Sequence, residues 1–349
     1  MNSKIKLFLC VSLFFMCISC SSEKQELKVL QFNIWQEGTM IPKGFDLLID
    51  ELISLDAEIV TFSEIRNYND RRFIPYLLDE LAKKGITYYG QDSDTDVGVI
   101  SKYPIVRQAT IYPLRNDRGS VLKTVVKLKD REIAVYSAHL DWLNCSLYLP
   151  RGYDGSTWKK LEQAVVDIDL ILADNRSSFR DDAVEAILED AKKEQLLGSL
   201  ILIGGDFNEP SHLDWQADTK DIRDHQGLII NWDCSIILYE NGFEDAFRVQ
   251  YPDAVDYPGF TFPANNTEAD IKKLAWSPEA DDRERIDFIY YYPQKEIQLK
   301  DMKVVGPEGS ILYGKRTIKD ADSKDEFILP LSIWPTDHKA VMATFELSF

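Results

Sequence analysis

The chain has 349 residues, of which 45% are hydrophobic and 11% aromatic, so it can form one large domain or two ordinary ones with a sizeable core. Its 58 acidic and 40 basic residues give a net charge of −18. Such a field repels polyanions and leaves no broad basic surface, which argues against long duplex nucleic acid as the substrate. A local basic patch remains compatible with this charge.

The N-terminus has the layout of a signal peptide. Lys4 and Lys6 precede an apolar run over residues 7–19, which is too short to span a membrane. Cys20 follows, and a polar stretch comes directly after it. The small Ser19 before Cys20 resembles the cleavage box of a bacterial lipoprotein.

We therefore predict a lipoprotein signal peptide over residues 1–19, lipidation of Cys20, a short tether over residues 20–26 and one domain over residues 27–349. The predicted location is the bacterial cell envelope. Cys17 departs from the leucine that is usual at its position, so ordinary secretion with cleavage nearby is the alternative. Loss of residues 1–19 removes two basic residues and no acidic ones, which moves the net charge from −18 to −20.

Two further cysteines, Cys145 and Cys234, follow Cys20. Two thiols cannot form a four-sulfur metal site. An exported protein could join them in a disulfide, and two buried free thiols are equally compatible with the sequence.

The hydrophobic periodicity predicts strands and helices that intermingle along the chain. In chain order these are a strand at 26–35, a helix at 45–56, a strand at 57–65, a helix at 72–85, strands at 97–105, 120–128 and 131–142, an irregular loop at 143–158, helices at 159–174 and 180–197, a strand opening at 200–203, a strand at 285–292 and a last strand after 338. Several adjacent strands have no helix between them, which favours mixed sheets over a purely parallel sheet.

Polar side chains suited to chemistry stand at the ends of these strands. They are Asn33, Glu64, His139, Asp206, Asn208, Asp287, Asp337 and His338. Any one of these side chains alone could simply form structural hydrogen bonds at the end of a strand. The other two histidines, His212 and His225, lie in polar surroundings, and we predict both to be surface residues.

The segment GGDFNEP illustrates the choice between turn and site. Gly, Asp and Asn suit a turn, and Pro210 would end the strand. Alternatively, Gly204 and Gly205 allow a close backbone approach, and Asp206 and Asn208 are presented toward one phosphate.

Taken in order, seven segments resemble the endonuclease/exonuclease/phosphatase superfamily over roughly residues 26–349. They are ELKVLQFNIW, EIVTFSEI, VGVISKYPI, YSAHLDW, LIGGDFNEP, RIDFIYY and PTDHKAV. The resemblance implies an α/β fold, a four-layer α-β-β-α sandwich in which two packed mixed β-sheets are flanked by helices. It also implies a divalent cation, Mg²⁺ or Mn²⁺, and hydrolysis of a phosphate ester.

The resemblance implies three residues near the metal. Hard oxygen ligands suit Mg²⁺, so Glu64 is the first expected ligand, with Asn33 beside it. Asp337 is expected to reach the same ion or a second one.

The resemblance also implies which residues would neutralise charge, place the attacking water and protonate the leaving oxygen during phosphate-ester hydrolysis. His338 is expected to act as the base or as a phosphate clamp, with Asp287 fixing its tautomer. Asp206 would orient or deprotonate the attacking water. Asn208 would hold a phosphate oxygen, and His139 would stabilise the pentavalent centre or protonate the leaving group.

The loop over residues 143–158 is the expected specificity element, because the family varies in its loops. Arg151 in this loop, together with Arg115 and Arg118, is a candidate for binding an anionic group of the substrate. Tyr148 and Trp158, with Tyr153, either contact substrate or pack the loop onto the body.

The sequence supports an exported metal-dependent phosphodiesterase or phosphatase that acts on a small or lipid-linked phosphate ester, and we expect a monomer. The alternatives are a secreted nuclease, a non-catalytic surface binding protein on the same fold, and a membrane-damaging sphingomyelinase. The last would need an exposed apolar hairpin, and no clear one is present in the sequence.

Overall fold

The computed structural model describes residues 23–349. The predicted signal peptide and the lipidation site Cys20 lie outside the described residues. Among the helices of residues 23–349, none combines the length and the apolar character needed to cross a bilayer.

The strands and helices alternate along the chain. The strands are β1 Lys24–Asn33, β2 Ile59–Ser63, β3 Tyr89–Gly90, β4 Val97–Ser101, β5 Ile105–Tyr112, β6 Ser120–Leu128, β7 Arg131–His139, β8 Leu200–Asp206, β9 Glu244–Asp245, β10 Asp287–Tyr291, β11 Ile297–Val305, β12 Ile311–Leu312, β13 Lys315–Arg316, β14 Phe327–Ile328 and β15 Ala340–Ser348. The helices are α1 Trp35–Gly38, α2 Gly44–Leu55, α3 Phe73–Lys83, α4 Ile168–Asn175, α5 Arg180–Leu196, α6 Asp233–Glu240 and α7 Ala246–Gln250.

Two mixed sheets form the centre of the molecule. The first has seven strands in the order β14-β11-β15-β1-β2-β4-β3, and the second has six in the order β5-β6-β7-β8-β10-β9. In the first sheet β1 runs parallel to β2 and antiparallel to β15, and in the second β8 runs parallel to β7 and antiparallel to β10. Mixed sheets were expected from the adjacent strands in the sequence.

Alternation along β1 shows why the sheets pack face to face. Val29 faces a core shared with residues of the second sheet, such as Val135 and Leu202, whereas Leu30 and Phe32 face the helices on the opposite side. Successive side chains of a strand point to opposite faces, so a strand buried on both sides is apolar throughout. Each such aliphatic side chain contributes about 1.5–3 kcal/mol by leaving water.

Helices cover both outer faces. The apolar residues of α2 and α3 pack on the outer face of the first sheet, and those of α5 and α6 pack on the second. The structure therefore confirms the predicted four-layer sandwich.

The space between the sheets becomes polar toward one end. Gln31, Thr61 and Ser63 of the first sheet face Ser137 of the second, and all four are fully buried. A Cβ atom on Gly204 would lie 2.3 Å from the Thr61 Oγ1 atom, so this glycine permits the close approach of the sheets. The apolar core thus gives way to a polar floor where the strands end.

Several predicted boundaries differ from the structure. The helix predicted at 159–174 exists only as α4, because Asp167 caps its N-terminus through the backbone N–H groups of Asp169 and Leu170. The preceding residues instead pair with the 143–158 loop, including a bridge between Tyr153 and Lys160.

Other elements were not predicted. The strands β5 and β11 have polar or half-buried residues over much of their length, which weakens their periodicity, and α6 and α7 fall in a segment of mixed composition. β1 starts at Lys24, so residues 24–26 belong to the sheet rather than to the predicted tether, because they pair with residues 346–348 of β15.

Candidate active site

The site lies where strands of both sheets end. The register of the second sheet places Asp206 of β8 directly between its neighbours, His139 of β7 on one side and Asp287 of β10 on the other. β1 ends at Asn33 in the first sheet, and the segment before β15 supplies His338. Six of the eight candidates are buried to 4% exposure or less, so their polar atoms interact at low dielectric.

His338 and Asp287 form a hydrogen-bonded dyad between the sheets. The Nδ1 atom of His338 lies 2.8 Å from Asp287 Oδ2. The other carboxylate oxygen of Asp287 accepts a bond of 3.4 Å from the Gln31 amide. Burial by itself lowers the pKa of His338, but the charges of Asp287 and Asp206 outweigh it and raise that pKa well above its usual value. The predicted contact between this histidine and Asp287 is present.

His139 has a second acidic partner that the sequence analysis did not identify. Its Nδ1 atom lies 2.6 Å from Asp96 Oδ2, and the Ser120 hydroxyl donates to the other oxygen of Asp96. Burial opposes protonation of His139, yet the Asp96 carboxylate raises its pKa to about 9. Asp96 directly precedes β4, and its place at a strand edge was the only signal in the sequence.

Asp206 lies between the two imidazoles. Its Oδ2 atom is 3.7 Å from His338 Nε2 and 3.9 Å from His139 Nε2, and it accepts a bond of 2.9 Å from the Asn33 amide. Burial raises the pKa of Asp206 to about 6, while the charge of His338 opposes that rise. Both imidazoles are too far for a direct hydrogen bond to this carboxylate.

Glu64 is held by a strained turn. Its Oε1 atom accepts from the Asn33 amide at 3.1 Å and its Oε2 atom accepts from the backbone N–H of Gln36 at 3.1 Å. Trp35, Gln36 and Glu37 all have positive φ angles, as does Glu64 itself. Four non-glycine residues in this conformation are costly, and such strain concentrates at functional sites.

Asp337 carries a buried oxygen without a partner. Its Oδ1 atom forms no hydrogen bond to any described residue, and burial raises the pKa of this carboxyl well above its usual value, with the charge of Glu64 adding to the rise. A buried carboxylate left unpaired beside another acid is an arrangement that a bound cation would stabilise.

A separate cluster also satisfies the distances of a metal site. Ligand atoms of Asp206, Asp287 and His338 lie within 4.8 Å of one another. Two of these three groups already share a hydrogen bond, however, so this cluster is better suited to holding protons. Glu64 and Asp337, with the supporting Asn33, are therefore the better candidates for the ion, and the metal assignment stays a prediction.

Asn208 follows Asp206 on a backbone with a φ angle of 48°. Its backbone N–H donates to Asp206 Oδ1 at 2.9 Å, and its side-chain amide donates to the Leu140 carbonyl at 3.0 Å. The turn thus orients the Asp206 carboxylate, while the predicted role of Asn208 in holding a phosphate oxygen stays a prediction.

A family model supplies the identification. The model of the endonuclease/exonuclease/phosphatase family matches residues 30–338. The chain belongs to this family. Members of the family hydrolyse phosphate esters, so the chain is a hydrolase of phosphoesterase type, and divalent metals are the family's usual cofactors.

Individual relatives agree with this family. An uncharacterized protein of Caenorhabditis elegans is 26% identical over 290 residues, which cover 80% of this chain and 84% of that protein. The human Nocturnin catalytic domain with a bound sulfate anion has a TM-score of 0.54 at 12% identity and covers 93% of this chain and 97% of its own. D. rerio TDP2 complexed with a single strand DNA product has a TM-score of 0.51 at 14% identity, with coverages of 92% and 98%. Both structures share the fold.

In this member of the family six of the eight candidate residues line one cavity of about 270 Å³, namely Glu64, His139, Asp206, Asn208, Asp337 and His338. Its charged lining consists of six carboxylates and one arginine, Arg66, besides the two histidines. Arg66 lies 3.9 Å from Glu64 and also contacts Asp117. The aromatic lining is contributed by Trp35, Trp142, Tyr148, Trp158, Phe262 and Trp276.

None of the three predicted substrate arginines lines this cavity. Arg151 is buried and bonds to Glu284 at 2.7 Å and to the Leu147 carbonyl at 3.1 Å, so its guanidinium holds the loop instead. Arg118 forms a two-pronged pair with Asp141, and Arg115 lies over the ring of Tyr112. Arg66, which the sequence analysis missed, follows Glu64 by two residues and was placed in the cavity by the same turn.

The prediction that His212 and His225 are surface residues was wrong. Both are buried, at 6% and 3% exposure, because the segment after β8 folds back under the 143–158 loop. His225 stacks on Trp215 with ring centroids 3.7 Å apart, and His212 bonds to the Ser235 hydroxyl at 3.0 Å. Cys145 and Cys234 are both buried free thiols, which decides between the two alternatives that the sequence left open.

Proposed function

We propose that this chain is a divalent-metal-dependent phosphoesterase that acts on a small or lipid-linked phosphate ester. The observation that carries the proposal is the meeting of three groups in the lining of one cavity: His338, which is bonded to the buried Asp287, the Asp206 carboxylate and the unpaired acid Asp337. The unpaired Asp337 oxygen faces the same cavity as Glu64, where a bound cation would satisfy it.

The metal would be held by Glu64 and Asp337, with Asn33 orienting Glu64. These are hard oxygen donors, which suit Mg²⁺ or Mn²⁺. The ion would supply charge neutralisation of the phosphate oxygens and so lower the barrier to attack. The fit rests on the orphaned Asp337 Oδ1 atom and on the raised pKa of Asp337, which burial causes and the charge of Glu64 increases.

The proton roles follow from the directions of the pKa shifts. Asp206, with a pKa of about 6, is mostly ionised at neutral pH and is basic enough to accept a proton from an attacking water. His338 and His139 have raised pKa values, so each would present a protonated Nε2 atom. These two cations would bind the phosphate oxygens, and His139 would donate a proton to the leaving oxygen. This assignment makes Asp206 the base and His338 the clamp.

The charges that line the cavity favour a small ester over a long polyanion. One arginine among six carboxylates provides little attraction for a long polyanion. A nuclease activity is the second candidate, because the D. rerio TDP2 structure of the same fold contains a single strand DNA product. A non-catalytic binding protein is disfavoured, since every expected catalytic group is present in the chain.

The cellular setting is also proposed. The signal peptide and Cys20 support export and a lipid anchor in the bacterial cell envelope, with secretion as the alternative. We propose a monomeric enzyme whose partners are its phosphate-ester substrate and the membrane that holds the anchor.

A substrate panel with chelation tests the proposal. Bis-p-nitrophenyl phosphate, inositol phosphates, phospholipids, sugar phosphates, nucleotides and nucleic acids would be offered at pH 7, with and without EDTA. Hydrolysis of at least one small ester is expected, with loss in EDTA and recovery in Mg²⁺ or Mn²⁺. Hydrolysis of nucleic acid alone would favour the nuclease, activity that persists in EDTA would contradict the metal assignment, and binding without turnover would favour the non-catalytic alternative.

A further inference from the structure

The catalytic cavity continues into a second groove. This groove has a volume of about 490 Å³, and four residues line both spaces, namely Trp35, Gln36, Trp158 and Trp276. Lys272 and Lys273 line only the outer groove. A ligand whose reacting phosphate lies over Asp206 could therefore extend past the indoles toward the two lysines.

Trp158 lines both spaces and has two unusual features. Its φ angle is 56°, a conformation that is strained for a bulky aromatic residue. Its indole Nε1–H is buried and has no acceptor among the described residues. Its ring stacks on Tyr148 and meets the edge of Trp276, with centroids 4.8 Å apart. Trp158 thus presents an indole, packed between two other aromatic rings, to the passage that joins the cavity and the groove.

The segment that carries the lysines is anchored rather than loose. Leu274 and Ala269 are buried against Trp35 and Ile41 in one apolar cluster. The backbone N–H of Trp276 donates to Asp282 Oδ2 at 2.8 Å, which fixes the base of this indole. The lysines and the aromatic wall are thus held at a defined separation.

The charges of the outer groove differ from those of the rest of the protein. Lys272 and Lys273 are both exposed, and neither has a carboxylate within 4.0 Å among residues 23–349. The groove itself is lined by these two cations and by no acid. In a chain with a net charge of −18, two adjacent unpaired cations beside an aromatic wall complement an anionic group.

We infer that the groove binds the part of the substrate beyond the reacting phosphate, and that this part carries an aromatic ring and a second anionic group. The inference rests on the proposed function, because it takes the phosphate over Asp206 as the reacting group. Trp158 and Trp276 contact the ring, whereas Lys272 and Lys273 bind the distal anion. These are specificity-determining residues and not catalytic ones.

Isothermal titration calorimetry with two matched nucleotides tests this assignment. Thymidine 5′-monophosphate and thymidine 3′,5′-bisphosphate differ only in a distal phosphate. The bisphosphate is expected to bind about tenfold tighter, because charge-assisted contacts exceed neutral ones in strength. In a Lys272→Ala/Lys273→Ala double variant the ratio should fall to about one, and in the control Lys192→Ala, an exposed lysine on α5 outside both spaces, it should stay at about ten.

A second binding measurement tests the contact between the indoles and the aromatic ring of the ligand. Trp276→Ala removes a ring that is 37% exposed, so the fold should persist, and both nucleotides should bind about tenfold more weakly. Inositol monophosphate and bisphosphate, which lack an aromatic ring, should be insensitive to this variant. Equal sensitivity of inositol and nucleotide ligands would overturn the aromatic assignment.

Binding and turnover separate the two proposals. An equal affinity for the two nucleotides in the unmodified protein, or an unchanged ratio in the double lysine variant, would overturn the groove assignment even if esters are hydrolysed. A tenfold ratio that depends on the lysines would support it even if every ester in the substrate panel remains intact, and that second result would count against the proposed function alone.

Discussion

The hydrogen bond of 2.8 Å between His338 Nδ1 and Asp287 Oδ2 joins the two sheets of the sandwich. Asp287 begins β10 of the second sheet, and His338 precedes β15 of the first by two residues. The polar floor of the cavity therefore depends on the packing of the sheets, and disturbance of this packing is expected to affect catalysis before it affects folding.

Asp287→Asn tests the dyad directly. The amide can still accept a bond from His338 Nδ1, but the negative charge that favours the imidazolium is lost. We expect kcat to fall by about 10²-fold or more in steady-state assays. Asp320→Asn, which alters a buried aspartate outside the cavity, is the control, and a similar loss in both variants would mean that the effect is structural.

Asp206→Ala and His338→Ala remove the proposed base and clamp. Each should lower kcat by about 10²–10⁴-fold while leaving the circular dichroism spectrum intact. His212→Gln changes a buried histidine remote from the cavity and should retain nearly full kcat. Near-normal rates in both active-site variants would remove the catalytic assignment.

Asp337→Asn separates metal binding from folding. Burial raises the pKa of Asp337, so its ionised form opposes folding at neutral pH, and the neutral amide should raise the melting temperature in EDTA. The same variant should need at least about tenfold more Mg²⁺ for half-maximal activity.

Asp282→Asn is the matched control for this experiment. Asp282 is also buried in the cavity wall, but the Ser277 hydroxyl and two backbone N–H groups donate to it. Its variant should leave the Mg²⁺ requirement unchanged. An unaltered requirement in Asp337→Asn would contradict the assignment of that residue as a ligand.

Arg151→Met tests whether this arginine supports the loop. Removal of the arginine leaves the Glu284 carboxylate buried without a cation, with only the Trp215 indole still donating to it, which should cost about 3–5 kcal/mol in the free energy of unfolding measured with urea. Lys160→Met breaks the exposed pair with Glu279 and should leave the unfolding midpoint nearly unchanged. A raised KM without loss of stability in Arg151→Met would instead favour the original prediction of substrate binding.

His225 should make the stability depend on pH. Burial, with the charges of Arg151 and Arg223, lowers the pKa of His225 to about 2, below its value of about 6.5 in the unfolded chain. The unfolded state therefore binds the proton first, so this contribution is complete above pH 6.5 and is lost as the pH falls toward 2. Its slope is about 1.4 kcal/mol per pH unit between pH 6 and 4.5.

The variant His225→Phe keeps a ring against Trp215 and removes this titration. Urea unfolding at several pH values should show a slope smaller by that amount than in the unmodified protein. Identical slopes would mean that His225 is protonated in the folded state.

The local sequence determined much of the architecture. The alternation in β1 and the helical spacing in α2 and α5 record which faces are buried, so the strands, these helices and the layered sandwich could be predicted. The same hydrophobic periodicity identified the polar residues at the strand ends, because an acid or a histidine at the end of an apolar strand interrupts it.

Tertiary packing decided the partners of those residues and the wall of the cavity. Nothing near Asp96 in the sequence indicates His139, 43 positions away, and their contact exists only because β4 and β7 belong to sheets packed face to face. Likewise, Arg151 and His225 carry polar side chains that local composition assigns to solvent. Arg151 is buried because Glu284 supplies a hydrogen bond that replaces water, and His225 is buried because it stacks on Trp215. These contacts join segments far apart in the chain, so the hydrophobic periodicity of a single segment cannot reveal them.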